Sequence, residues 1–238
     1  MSKWYIVDTC ESTMDLANQL WTQKEYGDGW IVQTKVQTKG RGREERVWIS
    51  GEEDLMFTLM VEVKEEKVLR KIGISALVSM VQTLQDVYQI EVKGKWPNDG
   101  FINNKKLFGI LVEANYIENS FHVNIGIGLN LKRKGIDTAI SLEEVGIVTF
   151  NTKDIVEIFR NTFYRNLHLE DEELMNQFKI VDMLYGKVVN ICSAKDTEKK
   201  SLECGKVVGY TQDWKIILES ETNGNIQLKE FDREEVIL

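Results

Sequence analysis

The sequence predicts an α+β fold: a mixed, mainly antiparallel sheet flanked by helices, followed by a small β-barrel-like appendage. Three observations carry this. Phe121 to Leu131 alternates strictly, with Phe121, Val123, Ile125, Ile127, Leu129 and Leu131 on one face, the period-two signature of a strand with one buried side. Val68 to Gln89 instead spaces Leu69, Ile72, Ala76, Met80, Leu84 and Val87 by three or four residues, the signature of a helix. After Gly186 the texture changes to short β-rich runs separated by turns, as in small barrels.

In chain order, Lys3 to Val7 reads as a strand. Ser12 is a good N-cap, Asp15 completes an approximate capping box, and Leu16, Ala17, Leu20 and Trp21 continue a helix to about Lys24. Tyr26-Gly27-Asp28-Gly29 is a turn, Trp30 to Lys35 the next strand, and Leu55 to Val63 a buried strand. The long helix leads into a short strand, Val92 to Trp96, and the turn Pro97-Asn98-Asp99-Gly100. Asn103-Asn104 makes a second turn before the strand Lys105 to Ala114. Thr152 caps a helix marked by Ile155, Val156, Phe159, Phe163 and Leu167, and Asp171 to Leu184 forms another. The tail strands are Lys187–Cys192, Gly205–Tyr210, Lys215–Glu219, Ile226–Glu230 and Glu235–Leu238. The division expected is a main domain, 1–184, and a small β-domain, 185–238.

One stretch stands out chemically. Gly40-Arg41-Gly42-Arg43-Glu44-Glu45-Arg46-Val47-Trp48 packs two glycines, three arginines and a tryptophan into nine positions. Arginine forks suit carboxylate and phosphate, and a tryptophan face suits a base. The stretch is either a solvated basic turn or a loop that captures an anionic, nucleotide-like ligand. Ser12-Thr13 likewise reads as capping alone or as hydroxyls that hold a polar ligand group. The second face of Phe121–Leu131 carries His122, Asn124, Gly126, Gly128 and Asn130, a small and polar floor on which a flat ligand could lie.

Composition narrows the function. A net charge of −8 and a pI near 5.1 argue against a general nucleic-acid binder. No apolar run reaches the roughly 20 residues that span a bilayer, and the start is too short in apolar length for a signal peptide. Three cysteines without paired spacing suit a reducing, cytoplasmic setting. There is no Cys-x-x-Cys, only two histidines, no Gly-x-Ser-x-Gly and no P-loop, so structural zinc, hydrolase-elbow and P-loop chemistries are set aside. Gly126-Ile127-Gly128 lacks the third glycine and the helix of a dinucleotide fingerprint. Arg41, Arg43, Arg46, Lys95 and Lys106 remain as cationic groups for a phosphorus centre.

Four blocks occur in order: Gln37-Thr38-Lys39-Gly40-Arg41-Gly42-Arg43, Lys95-Trp96-Pro97-Asn98-Asp99, Lys105 through Glu113, and Gly126-Ile127-Gly128-Leu129-Asn130. With Ser12-Thr13 they resemble the signature blocks of biotin protein ligases. The resemblance implies a class II aminoacyl-tRNA synthetase-like catalytic domain with an SH3-like C-terminal barrel. It implies ATP and biotin as substrates with magnesium: biotin is activated to biotinyl-5′-AMP, then transferred to a lysine of a biotin carboxyl carrier protein. By motif position, Ser12, Thr13, Gln37, Arg41, Gly42, Arg43, Lys106, Gly109 and Leu111 would bind biotin. Arg41, Arg43, Arg46, Trp48, Lys106 and Asn130 would bind ATP or the adenylate. Arg43, Lys106 and Asp99 would be catalytic, with Asp99 facing the incoming lysine. The metal ligands are left unassigned.

The chain departs from the family pattern in three places. Glu45 stands in place of a glycine in the arginine loop, Met14 where an asparagine is common, and Phe108 where a small residue precedes Gly109, which would narrow the ligand slot. The N-terminus has no room for a helix-turn-helix unit, so operator binding is not expected; the lack of a long apolar run likewise sets membrane association aside. A homodimer is a candidate state if Phe121–Leu131 is an edge strand. Alternatives are a lipoate or octanoate ligase or transferase, and a non-catalytic biotin sensor.

Overall fold

The computed structural model describes residues 3–23, 25–51, 53–133, 135–193, 201–222, 225–232 and 235–237. Its main sheet has seven strands. They are β1 (Lys3–Cys10), β2 (Trp30–Gln37), β3 (Leu55–Val63), β4 (Lys93–Lys95), β5 (Asp99–Ile102), β6 (Lys105–Ile117) and β7 (Ser120–Leu129), in spatial order β1-β2-β3-β7-β6-β5-β4. Only β1 and β2 run parallel; the other pairs are antiparallel. β7 therefore lies inside the sheet, between β3 and β6. The expectation of an edge strand there is corrected: both ladders of β7 are already filled.

The sheet is covered on both faces, and alternation decides which residue faces which layer. On one face α1 (Thr13–Leu20) sets Ala17 and Leu20 against Val32 and Met60. On the other, Ile31, Phe57, Leu59, Ile125 and Ile127 join the core built with α2 (Glu66–Tyr88), α3 (Thr152–Leu167) and α4 (Asp171–Val181). Two local expectations shift, and a third, the Asn103-Asn104 turn, holds. α1 stops at Leu20, and Lys24, to which it was expected to run, lies outside the described residues. The cap of α3 is Asn151, whose Oδ1 accepts from the Asp154 N–H at 3.3 Å, rather than Thr152. Asn103 and Asn104 both adopt positive φ, 50° and 60°, as a tight two-residue hairpin demands and asparagine tolerates.

The tail forms a five-stranded antiparallel sheet: β8 (Val188–Cys192), β9 (Ser201–Tyr210), β10 (Ile216–Thr222), β11 (Asn225–Phe231) and β12 (Glu235–Ile237), in order β11-β10-β9-β8-β12. It is joined to the main sheet by apolar and polar contacts. Phe178 of α4 meets Tyr210 and Trp214 edge-on. Trp96 Nε1 donates to the Trp214 carbonyl at 2.8 Å, and the Met183 N–H to the Gly94 carbonyl at 2.9 Å. Asp182 accepts from the N–H groups of Leu184 and Tyr185 and from Tyr210 Oη at 2.6 Å.

Candidate active site

A cleft opens on the α1 side of the sheet, between α1, the glycine–arginine loop and the strands β6 and β7. Its base is set by the N-terminus of α1. Ser12 caps the helix, with Oγ accepting from the Met14 N–H at 3.3 Å. Gln37, at the end of β2, accepts through Oε1 from the Thr13 N–H at 2.8 Å and Thr13 Oγ1 at 3.1 Å. Thr58 Oγ1 donates to Thr13 Oγ1 at 2.9 Å. Ser12 and Thr13 are buried, so these hydroxyls form a fixed polar wall rather than a solvent-facing cap.

The floor is glycine because two large side chains lie on it. A Cβ on Gly128 would fall 2.4 Å from Trp48 Cε2, and one on Gly109 2.9 Å from Trp48 Cζ3. A Cβ on Gly126 would fall 2.6 Å from Met14 Sδ. No side chain fits under such contacts, which is the close approach that glycine permits. Of the residues on the second face of Phe121–Leu131, Gly126 and Gly128 thus form the cleft floor, under a thioether and an indole, while His122, Asn124 and Asn130 do not line the cleft. Further along, Trp21 stacks on His122 with centroids 4.2 Å apart and donates from Nε1 to Asn124 Oδ1 at 2.8 Å.

Lys106 stands at the rim. The β5–β6 register shifts between Gly100 and Phe101, and such a bulge re-aims the side chains that follow. Lys106 Nζ reaches Asp99 Oδ1 at 2.7 Å and lies 5.2 Å from the centroid of the Trp48 ring. Its backbone is pinned by the Thr138 and Ile140 main chain and by Asn130, whose Nδ2 donates to the Lys106 carbonyl at 3.2 Å. Asn130 is buried and holds the lysine's main chain from behind the cleft; it does not line it. Phe108 turns to the opposite face, fully buried against Gly100. The expectation that it narrows the slot is therefore corrected by strand alternation.

The loop itself is a small hairpin. The Trp48 N–H donates to the Gly40 carbonyl at 2.9 Å and the Gly42 N–H to the Arg46 carbonyl at 2.7 Å, with Glu44 at φ 51° in the turn. The side chain of Glu45 lies outside the described residues. Arg41 and Gly42 line the cleft; Arg43 and Arg46 line a groove on the outer side of the loop. Arg41 donates to Asp15 Oδ1 at 2.6 Å and to Glu113 Oε1 at 3.0 Å. The structure thus gathers Ser12, Thr13, Gln37, Arg41, Gly42, Trp48, Lys106, Gly109 and Leu111 around one cleft, with Asp99 on Lys106. It adds Met14, Met56 and Ile110 as walls. Met14 is marked by its departure from the family's asparagine; Met56 and Ile110 blend with core positions in the sequence, so no local signal marks them as ligand-facing. Asp15 and Glu113 were missed as site residues: in the sequence Asp15 reads only as a capping-box acid and Glu113 only as the end of the third block.

A family model described as the biotin/lipoate A/B protein ligase family matches residues 6–130. The chain belongs to this family. Among its relatives, biotin–protein ligase 1, chloroplastic, of Arabidopsis thaliana is 28% identical over 181 residues, covering 73% of this chain and 49% of the relative. The bifunctional ligase/repressor BirA of Bacillus subtilis is 33% identical over 142 residues, covering 58% of this chain and 43% of the relative. The chain thus matches less than half the length of either. A solved biotin protein ligase from Aquifex aeolicus, in complex with biotin and ATP, superimposes with a TM-score of 0.82 at 22% identity, covering 99% of both chains. At that identity the likeness establishes the fold, including the tail sheet.

Proposed function

We propose that this member of the family activates biotin with ATP and transfers it to a lysine of a biotin carboxyl carrier protein. In the first step a biotin carboxylate oxygen bonds to the α-phosphorus of ATP and pyrophosphate leaves. In the second, the carrier's amine bonds to the acyl carbon and AMP leaves. The observation that carries this reading is Lys106. A cation held by Asp99, at the rim of a glycine-floored cleft, sits where an anionic acyl phosphate would form, and a fixed ammonium there stabilises charge that develops in the transition state. The buried Ser12-Thr13-Gln37 wall offers directed donors and acceptors to a ureido group, and Trp48 offers a flat face.

Arg43 and Arg46, on the loop's outer side, would meet phosphate oxygens of the nucleotide. Magnesium would arrive with the nucleotide: among the described residues no cluster of three or more histidine, cysteine or acidic side chains offers a metal cage. Held mainly by phosphates, as is usual for this ion, it would supply charge neutralisation. Asp99, which pairs with Lys106, would orient that lysine and accept a proton from the incoming amine. We assign these roles to residues 1–184 and a supporting role to 185–238. The absence of disulfides suits a reducing, cytoplasmic compartment, and the net charge of −8 speaks against DNA as a partner. A dimer, if formed through the main sheet, would have to use β1 or β4, its two end strands.

The family name embraces lipoate as well, so the substrate is tested directly. Pyrophosphate exchange is measured with biotin and with lipoate, and labelling of a carrier domain with biotin and ATP. Exchange with biotin and label on one carrier lysine is the expected result. Exchange with lipoate alone overturns the reading in favour of a lipoate-type ligase, and biotin binding without exchange or label in favour of a sensor.

A further inference from the structure

Arg41 lines both the cleft and the outer groove, as do Gly42 and Leu111, so it forms part of the wall between them. Its fork is not spare. Nη2 donates to Asp15 in the first turn of α1, and Nη1 to Glu113 on β6. These two acids belong to different elements, α1 and β6, and Arg41 bridges them. The root of the loop is tied separately, by the Thr38 and Lys39 N–H groups donating to the Cys10 and Glu11 carbonyls. Its far end rests on the floor through Trp48. Two carboxylates around one guanidinium leave a net negative cluster, which would repel a phosphate; Lys106, paired with a single acid, is the better placed cation for one.

We infer that Asp15 and Glu113 are positioning residues: through Arg41 they clasp the glycine–arginine loop to α1 and β6. Resting on the function proposed above, the clasp also sets how long the acyl-adenylate is retained. All three side chains are partly exposed, so the clasp is of the salt-sensitive kind that opens and recloses readily.

The loop carries its own probe, because trypsin cuts after Arg41, Arg43 and Arg46. The intact protein and the Asp15→Asn, Glu113→Gln and double variants are digested briefly at low and raised salt, and the cuts are mapped by mass spectrometry. The double variant is expected to be cut in the loop about fivefold faster than the parent at low salt. Raised salt should speed the parent towards the variant and leave the variant's ratio to a control peptide unchanged. Cuts elsewhere and the thermal midpoint report general loosening, which a clasp does not cause. Adenylate preformed from biotin and ATP should leave the double variant faster in the same proportion. Loop cleavage and salt response equal to the parent's overturn the clasp, even if adenylate forms. Faster loop cleavage in a protein that forms no biotinyl adenylate sustains the clasp and overturns the function.

Discussion

Lys106 Nζ lies 2.7 Å from Asp99 Oδ1, across a strand pair whose register slips by one residue. The pair is only partly buried, so its main effect is orientation rather than stability. Lys106→Ala is expected to slow adenylate formation by about 10²–10³-fold, the usual cost of removing a preorganised group that stabilises transition-state charge. Asp99→Asn keeps the cation but frees it, and should cost less in that step than Lys106→Ala. Pyrophosphate exchange measures both; equal rates for Lys106→Ala and parent remove the lysine from the chemistry.

Arg43 lines the outer groove; on the function proposed above, its guanidinium would hold a phosphate oxygen of the intermediate. Arg43→Ala is expected to release biotinyl-AMP roughly tenfold faster, as loss of a charge-assisted hydrogen bond implies. Free adenylate should then label bystander lysines. Filter-retained intermediate and labelling of an unrelated protein check it, and retention equal to the parent's excludes the role.

Gly128→Ala drives a methyl to within 2.4 Å of the Trp48 ring. The indole must leave the floor, at a cost of about 1–3 kcal/mol typical of overpacking. Denaturant titration reads the loss of stability, and calorimetry with ATP the loss of nucleotide affinity. A variant as stable as the parent, binding ATP equally well, would show that Trp48 yields freely.

Gly73, inside α2, is the opposite case: nothing stands within 4 Å of where its Cβ would be. Gly73→Ala is expected to gain roughly 0.5–1 kcal/mol, by removing backbone entropy from the unfolded chain. A lowered midpoint in thermal unfolding would contradict it.

Burial pushes the Asp182 carboxyl above its ordinary range, against the lowering pull of Tyr210 and two backbone N–H groups. A group whose folded pKa is raised holds its proton longer in the fold than in the unfolded chain. Stability therefore falls as pH rises from the unfolded value, about 3.9, through the folded one. Asp182→Asn lacks that fall. It should be less stable than the parent at low pH, and its deficit should shrink as pH climbs through this window. Parallel denaturation series test it; a deficit that widens with pH reverses the sign.

The fold was legible wherever structure is local. The period of Phe121–Leu131, the Ser12 cap and the Asn103-Asn104 turn each depend on a few neighbouring residues, and each stands where expected. The place of β7 inside the sheet depends on pairing with β3 and β6, which no single stretch encodes. The site divides in the same way. Motif positions named Gln37, Lys106 and Gly109, which line the cleft, but not the bulge that turns Lys106 towards Asp99. That Arg41 meets Asp15 and Glu113, 26 and 72 residues away, follows from how α1 and β6 flank the loop, a long-range juxtaposition.

Trp96, three positions before the aspartate that steadies Lys106, points its indole N–H at the carbonyl of Trp214. A chain severed after position 184 would strip that donor of its acceptor and bare the edge-packed ring of Phe178. Trimming the tail would thus disturb the Lys106–Asp99 rim from behind. A shortened version would have to repair both Trp96 and Phe178 to stay competent.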